Sequence, residues 1–84
     1  MKITFKLFAS LSDYLPPQAR NSHQMELEVA PDAPISEIVA PFGLPLASVH
    51  LVLVNGHYIA PDQRLTRTLQ EGDVLAIWPP IAGG

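Results

Sequence analysis

The sequence of 84 residues contains no cysteine, which excludes disulfide bonds, thiolate metal ligands and a cysteine nucleophile. Basic residues are also few: 5 Lys and Arg stand against 8 Asp and Glu, no basic run occurs, and the formal net charge is -3. Proteins that bind nucleic acid or anionic membranes need a basic surface. No apolar stretch approaches the roughly 20 residues of a membrane-spanning helix, and the start resembles a strand rather than a signal peptide. We therefore expect neither nucleic acid nor a membrane as partner, and a cytoplasmic location.

Recognisable catalytic patterns are missing as well. The three histidines, His23, His50 and His57, lack the spacing of metal ligands and are interpreted as surface or strand residues. No Ser-His-Asp arrangement and no Gly-rich phosphate loop is visible. We therefore expect a protein that holds no metal, binds no cofactor and has no catalytic activity of its own.

The chain does contain the material for one small domain, since hydrophobic residues make up 48% of it. Residues 2–7 and 24–29 alternate between polar and apolar side chains, which predicts two strands with one buried face each. Because a proline-containing loop near residues 14–18 separates them, an antiparallel pair is favoured.

The second half predicts one helix and three more strands. Ile35, Ile38 and Val39 form a single helical stripe, and Pro41 and Gly43 should end that helix after about two turns. Residues 49–54 read as a mostly covered strand, followed by the hairpin signal Asn55-Gly56 and a return strand over 57–60. A short helical turn should let Leu65 and Leu69 cover the core, before a last strand over 74–78. 

This order of elements predicts an α+β fold of the β-grasp type, a mixed sheet covered on one face by a short helix. The first and last strands would be parallel neighbours at the centre of the sheet. We divide the chain into a β-grasp domain, residues 1–78, and an extended, flexible C-terminal tail, residues 79–84. The predicted core between helix and sheet consists of Ile3, Phe5, Leu7, Leu27, Val29, Ile38, Leu75 and Ile77.

The tail carries the candidate reactive group. It reads Pro79, Pro80, Ile81, Ala82, Gly83 and Gly84, so two restricted residues are followed by a backbone that ends without Cβ atoms. An enzyme could admit such a tail to a narrow channel and convert the terminal carboxylate of Gly84 into an acyl donor. Ile81 would set the register of the tail in an apolar groove.

Trp78 and Phe8 are the candidate partner-binding residues. If Leu75 and Ile77 point into the core, strand alternation turns Ala76 and Trp78 to the face without the helix. Phe8 follows the first strand with the same parity. Two aromatic side chains on an open face next to a reactive tail form the kind of apolar patch that marks an interface.

Three segments resemble the MoaD/ThiS sulfur carriers, which are ubiquitin-like β-grasp proteins. They are IWPPIAGG at residues 77–84, EGDV at 71–74 and VNG at 54–56. The ending is most similar to that of the small subunit of molybdopterin synthase. The resemblance implies that an E1-like enzyme adenylates Gly84 with ATP and that the adenylate becomes a thiocarboxylate. The sulfur would then pass to an acceptor on a partner such as the molybdopterin synthase large subunit.

The sequence leaves the recipient of the sulfur open. A molybdenum or tungsten pterin cofactor is the first hypothesis, and thiamine or another sulfur-containing metabolite is the second. A third is a ubiquitin-like modifier that is joined through Gly84 to lysines of other proteins. A plain β-grasp interaction module is a further alternative. The helix region, broken by Pro41 and Pro45, is shorter than in typical molybdopterin carriers, so the pathway is not decided by the resemblance.

Overall fold

Five strands form one mixed sheet in the computed structural model, which describes residues 1–80 and all their side chains except that of Leu46. The strand order is β2-β1-β5-β3-β4, and β1 and β5 are parallel while the other neighbours are antiparallel. One α-helix within residues 1–80, α1, joins β2 to the second half of the chain. The predicted β-grasp fold is therefore confirmed. The bounds are Lys2–Leu7 (β1), Gln24–Glu28 (β2), Ile35–Val39 (α1), Leu51–Val54 (β3), His57–Tyr58 (β4) and Val74–Trp78 (β5).

The two central strands form because their apolar side chains recur with period two. Phe5 lies opposite Leu75, and Leu7 lies opposite Ile77, in the parallel pair of β1 and β5. All four side chains are fully buried on the face that α1 covers. A one-residue slip of either strand would turn this whole set toward the other face, so the core specifies the register.

The helix is shorter than two full α-helical turns because proline interrupts it. Pro41 has no N–H to donate to a preceding carbonyl, so the chain continues from α1 as a tighter 3-10 helix, Ala40–Phe42. Gly43 then ends the helix in the left-handed region, at a φ of 69°. The ring of Phe42 packs 4.6 Å from that of Phe5, so this irregular segment still covers the sheet.

Six of the eight predicted core residues are buried, whereas Leu27 on the edge strand β2 and Val29 just after it are only half-buried. Leu69 is buried, as expected. The prediction for Leu65 was wrong: this side chain is 67% exposed. Leu65 ends a 3-10 helix, Gln63–Leu65, which holds its side chain away from the core cluster that Leu69 joins.

The connection between β1 and β2 is more ordered than the predicted loop. It contains two 3-10 helices, Ala9–Tyr14 and Pro17–Ala19. Leu11, Leu15 and Ala19 from this connection are buried in the same core as the strands. The prolines exclude a strand, but they do not exclude a helical turn that packs on the sheet.

The Asn55-Gly56 turn joins β3 to β4 as predicted, with φ angles of 51° and 83°. The Asn55 side chain also fastens this turn to the start of β5. Its Nδ2 donates to Oδ1 of Asp73, and its Oδ1 accepts from the backbone N–H of Val74, both at 2.9 Å. Both hairpin strands are shorter than predicted, because regular pairing covers only residues 51–54 and 57–58.

No helix within residues 1–80 is long and apolar enough to cross a membrane.

Candidate functional site

The chain leaves the sheet from its centre, at the end of β5. On one side the N–H of Phe8 donates to the Ile77 carbonyl, and on the other the N–H of His50 donates to the Trp78 carbonyl, both at 3.1 Å. Pro79 and Pro80 follow and have no N–H with which to extend either ladder. The backbone therefore separates from both neighbouring strands after Trp78. The remaining candidate tail residues, Ile81, Ala82, Gly83 and Gly84, lie outside the described residues.

The two predicted partner-binding residues lie together at this exit. The rings of Phe8 and Trp78 are stacked, with centroids 4.2 Å apart and planes inclined by 8°. On its other side Phe8 stacks on His23 at 6.1 Å and 15°. Phe8 and Trp78 are half-buried, and they alternate with the fully buried Leu7 and Ile77. They therefore share the sheet face opposite α1, which we call the open face.

Three further apolar side chains extend this pair into a larger surface. Leu51 lies opposite Trp78, and Leu53 lies opposite Tyr58, which is 56% exposed. We define Phe8, Leu51, Leu53, Tyr58 and Trp78 as the open-face patch. Leu51, Leu53 and Tyr58 were not predicted as partner-binding residues, because residues 49–54 read as a mostly covered strand and the return strand was assigned no exposed face. The two-residue Asn55-Gly56 turn was the available signal, because it pairs Leu53 with Tyr58 and so assigns both to one face.

Ala76 shares the open face, as predicted, but contributes almost no surface to the patch. Its register neighbours are Lys6 on β1 and Leu53 on β3. The single methyl group between these longer side chains is only 6% exposed.

The one ion pair among the described residues lies at the far end of the sheet from the open-face patch. The Met1 ammonium contacts the Glu28 carboxylate at 2.8 Å. This hydrogen bond, together with the positive charge of the amino terminus, lowers the pKa of Glu28. Lys2 pairs with Glu28 at the start of β1, whereas Phe8 follows its end. The five side chains of the open-face patch are apolar or aromatic, and the charged Lys6 lies beside them on the same face, opposite Ala76.

The histidines occupy three different places and do not converge. His23 precedes β2 at a φ of 60°, and its buried Nδ1 has no hydrogen-bond partner among the described residues. His50 and His57 are exposed on or near the other edge of the sheet. Within residues 1–80, no group of three or more His, Asp or Glu side chains is placed to hold a metal ion.

Comparison with known proteins identifies the family. Residues 1–82 match the family described as Mut7-C ubiquitin. The chain belongs to this family. A comparison with curated proteins finds no match.

Solved structures place this Mut7-C ubiquitin chain among β-grasp proteins. SAMP1 from Haloferax volcanii is 26% identical, with a TM-score of 0.67 and full coverage of both chains. H. volcanii small archaeal modifier protein 1 is 25% identical, with a TM-score of 0.62 and coverage of 95% of this chain and 98% of that one. A chain in the complex of subunits 1 and 2 of the molybdopterin-converting factor from Helicobacter pylori is 21% identical, with a TM-score of 0.62 and full coverage of both chains. The predicted resemblance to ubiquitin-like β-grasp proteins is therefore confirmed for the Mut7-C ubiquitin chain.

Proposed function

We propose that this protein is a sulfur carrier whose Gly84 carboxylate is the reactive group. A carboxylate oxygen attacks the α-phosphorus of ATP in an E1-like enzyme, and pyrophosphate leaves. A sulfide supplied by a sulfur donor then displaces AMP from the acyl carbon, which leaves a thiocarboxylate. The carrier itself binds no cofactor and catalyses no step, and ATP belongs to the activating enzyme.

The exit of the chain from the middle of the sheet is the observation that carries this proposal. β5 is held by β1 on one side and by β3 on the other, and Pro79 and Pro80 end both ladders at Trp78. Six extended residues reach about 20 Å, so residues 79–84 are long enough to enter a deep active site. Gly83 and Gly84 have no side chains, which suits a channel too narrow for a Cβ.

The open-face patch supports a docked partner beside that exit. Aromatic residues are the commonest binding hot spots, and Phe8, Tyr58 and Trp78 supply three on one face. We propose that the E1-like enzyme and the sulfur acceptor bind this patch in turn, since both must bind the domain while they act on the same tail. The likeness to the subunit 1 and 2 complex of H. pylori favours a molybdopterin synthase large subunit as acceptor. A carrier for thiamine or another sulfur-containing metabolite is the alternative within this class.

A second function is supported by a specific observation. The 26% identity to SAMP1 over the full length of both chains favours a ubiquitin-like modifier equally well. In that case a lysine amine of another protein, rather than sulfide, displaces AMP from Gly84, and an isopeptide bond forms. Both functions use the same adenylate and differ only in the nucleophile.

Intact-mass measurement tests the two functions together. Protein purified from its own host, or incubated with its E1-like enzyme, ATP and a sulfide donor, should gain the mass difference of one sulfur for one oxygen at Gly84. Deletion of Gly84, or addition of one residue after it, should abolish the gain while the thermal melt stays unchanged. A variant extended beyond Gly84 that still accepts sulfur at its terminus would contradict the proposal. Lysine-linked Gly84 remnants in digests of host proteins would identify the modifier function instead.

A further inference from the structure

Arg64 connects three backbone carbonyls that lie just outside the strands β3 and β4. Its Nε donates to the Ile59 carbonyl at 3.1 Å, and its two terminal nitrogens donate to the carbonyls of Val49 and His50 at 3.3 and 3.2 Å. The planar guanidinium can hold three diverging acceptors at once because its donors point in fixed directions. Arg64 is half-buried, and its hydrogen bonds to Ile59 and Val49 are partly shielded from water, whereas the one to His50 is exposed.

The segment that Arg64 holds is the one that fixes the chain exit. His50 accepts from Arg64 through its carbonyl and donates through its N–H to the Trp78 carbonyl, at 3.1 Å. Trp78 is the last residue before Pro79, and no later residue of the described chain can renew the ladder through an N–H. His50 therefore links the two ends of this contact: its carbonyl binds the Arg64 guanidinium, and its N–H binds the last residue before the tail.

We propose that Arg64 is a positioning residue that sets the direction in which the tail leaves the domain. This inference rests on the proposed function, because direction matters only if a partner enzyme must receive the tail. Without the guanidinium, the carbonyls of Val49 and His50 are no longer held in place. The His50 N–H, which donates to the Trp78 carbonyl, is then free to move. The opposite contact, from the Phe8 N–H to the Ile77 carbonyl, does not involve Arg64 and should persist.

Amide hydrogen exchange, measured by NMR on the full chain, tests the structural half of this inference. The variant Arg64→Lys keeps the charge and most of the aliphatic stem but cannot reach all three carbonyls. It should accelerate exchange of the His50 N–H by about tenfold, the factor that corresponds to losing one hydrogen bond. The Phe8 N–H is the internal reference and should keep its wild-type rate. Equal acceleration of both amides, or of neither, would overturn the inference.

Kinetics of adenylation test the functional half. The E1-like enzyme, ATP and the carrier are used, and pyrophosphate release is measured. Because Arg64→Lys removes no side chain of the open-face patch, KM for the carrier should change less than about twofold, whereas kcat should fall about tenfold because the tail leaves in the wrong direction. Arg67→Lys is the matched control, since Arg67 is an exposed arginine of the same connection whose side chain donates no hydrogen bond to the described part of the chain. It should change neither constant.

A destabilised core variant separates positioning from general loss of stability. Ile38→Val removes one buried methylene on the helix and leaves the Arg64 contacts in place. It should lower the melting temperature without lowering kcat, and an equal loss of kcat in Ile38→Val and Arg64→Lys would overturn the positioning role. Absence of adenylation in the wild type would overturn the proposed function instead. In that case the exchange rates alone decide whether Arg64 fixes the chain exit.

Discussion

The indole ring of Trp78 lies parallel to the phenyl ring of Phe8, with centroids 4.2 Å apart. The two residues are adjacent because β1 and β5 are parallel neighbours in which Leu7 lies opposite Ile77. Each ring covers one face of the other, which explains why both are half-buried on a sheet face that has no helix. The stack is therefore an apolar surface formed within the domain itself, next to Pro79.

The variant Trp78→Ala should weaken binding to the E1-like enzyme at least about tenfold, because buried tryptophans are frequent hot spots. The fold should lose about 0.5–1.5 kcal/mol for the aromatic pair in addition to the smaller buried area of the half-buried indole, and the domain should remain folded. Calorimetric titration beside a thermal melt measures both effects. Leu65→Ala, which removes an exposed apolar side chain away from the open-face patch, is the control and should change neither. A large loss of stability with unchanged affinity would assign Trp78 to the core and move the docking surface elsewhere.

Truncation of the Leu75 side chain should lower the free energy of unfolding. Leu75 is fully buried between Phe5 on β1 and Val54 on β3. Leu75→Ala should cost about 2–5 kcal/mol, a large share of the roughly 5–10 kcal/mol available to a small domain. Urea unfolding measures the loss. Leu65→Ala is again the control, because this exposed side chain should contribute little to stability. An unchanged urea midpoint for Leu75→Ala would contradict the assignment of Leu75 to the buried face of β5.

The Asn55 side chain should stabilise the fold in two separable ways. Asn55→Gly keeps the backbone free to adopt positive φ but removes the hydrogen bonds to Asp73 and Val74, and should cost about 1–2 kcal/mol. Asn55→Ala also places a Cβ residue without local hydrogen bonding in the left-handed region, which adds about 1–2 kcal/mol. The difference between the two unfolding free energies isolates the backbone contribution. If both variants unfolded at the wild-type midpoint, the side chain would not fasten the turn to β5.

The ion pair of Glu28 should contribute stability only above acid pH. The amino-terminal ammonium lowers the pKa of Glu28 below its ordinary value of 4.5, so the unfolded state binds a proton at a higher pH than the folded state. The contribution is present above the unfolded pKa and disappears as pH falls through the folded one. The difference in unfolding free energy between wild type and Glu28→Gln should therefore shrink on acidification.

Urea unfolding as a function of pH measures this difference. Glu26→Gln removes an exposed carboxylate from the same strand, one that forms no ion pair with the described residues. This variant controls for the loss of one exposed carboxylate from β2. A Glu28→Gln difference that grows on acidification would contradict the assigned direction of the pKa shift.

Local rules in the sequence were sufficient for much of this fold. Period-two alternation identified β1, β2 and the facing of β5, and Asn55-Gly56 identified the hairpin, because positive φ at two consecutive positions strongly selects these residues. Pro79 and Pro80 marked the end of the last strand, since proline cannot donate to a ladder. Phe8 and Trp78 could be assigned to one face by parity alone.

Other features depend on packing between segments that are distant in the sequence. Leu11 and Leu15 are buried because the connection after β1 folds back on the sheet, and Leu65 is exposed although its neighbour Leu69 is buried. No local period distinguishes these leucines. Composition and parity determined the strands, the hairpin and the shared face of the aromatic pair. Only the tertiary structure decided that the rings of Phe8 and Trp78 stack. It also decided that Arg64 reaches the carbonyls of Val49, His50 and Ile59. The contact with His50 spans 14 residues, so it depends on where two distant chain segments meet.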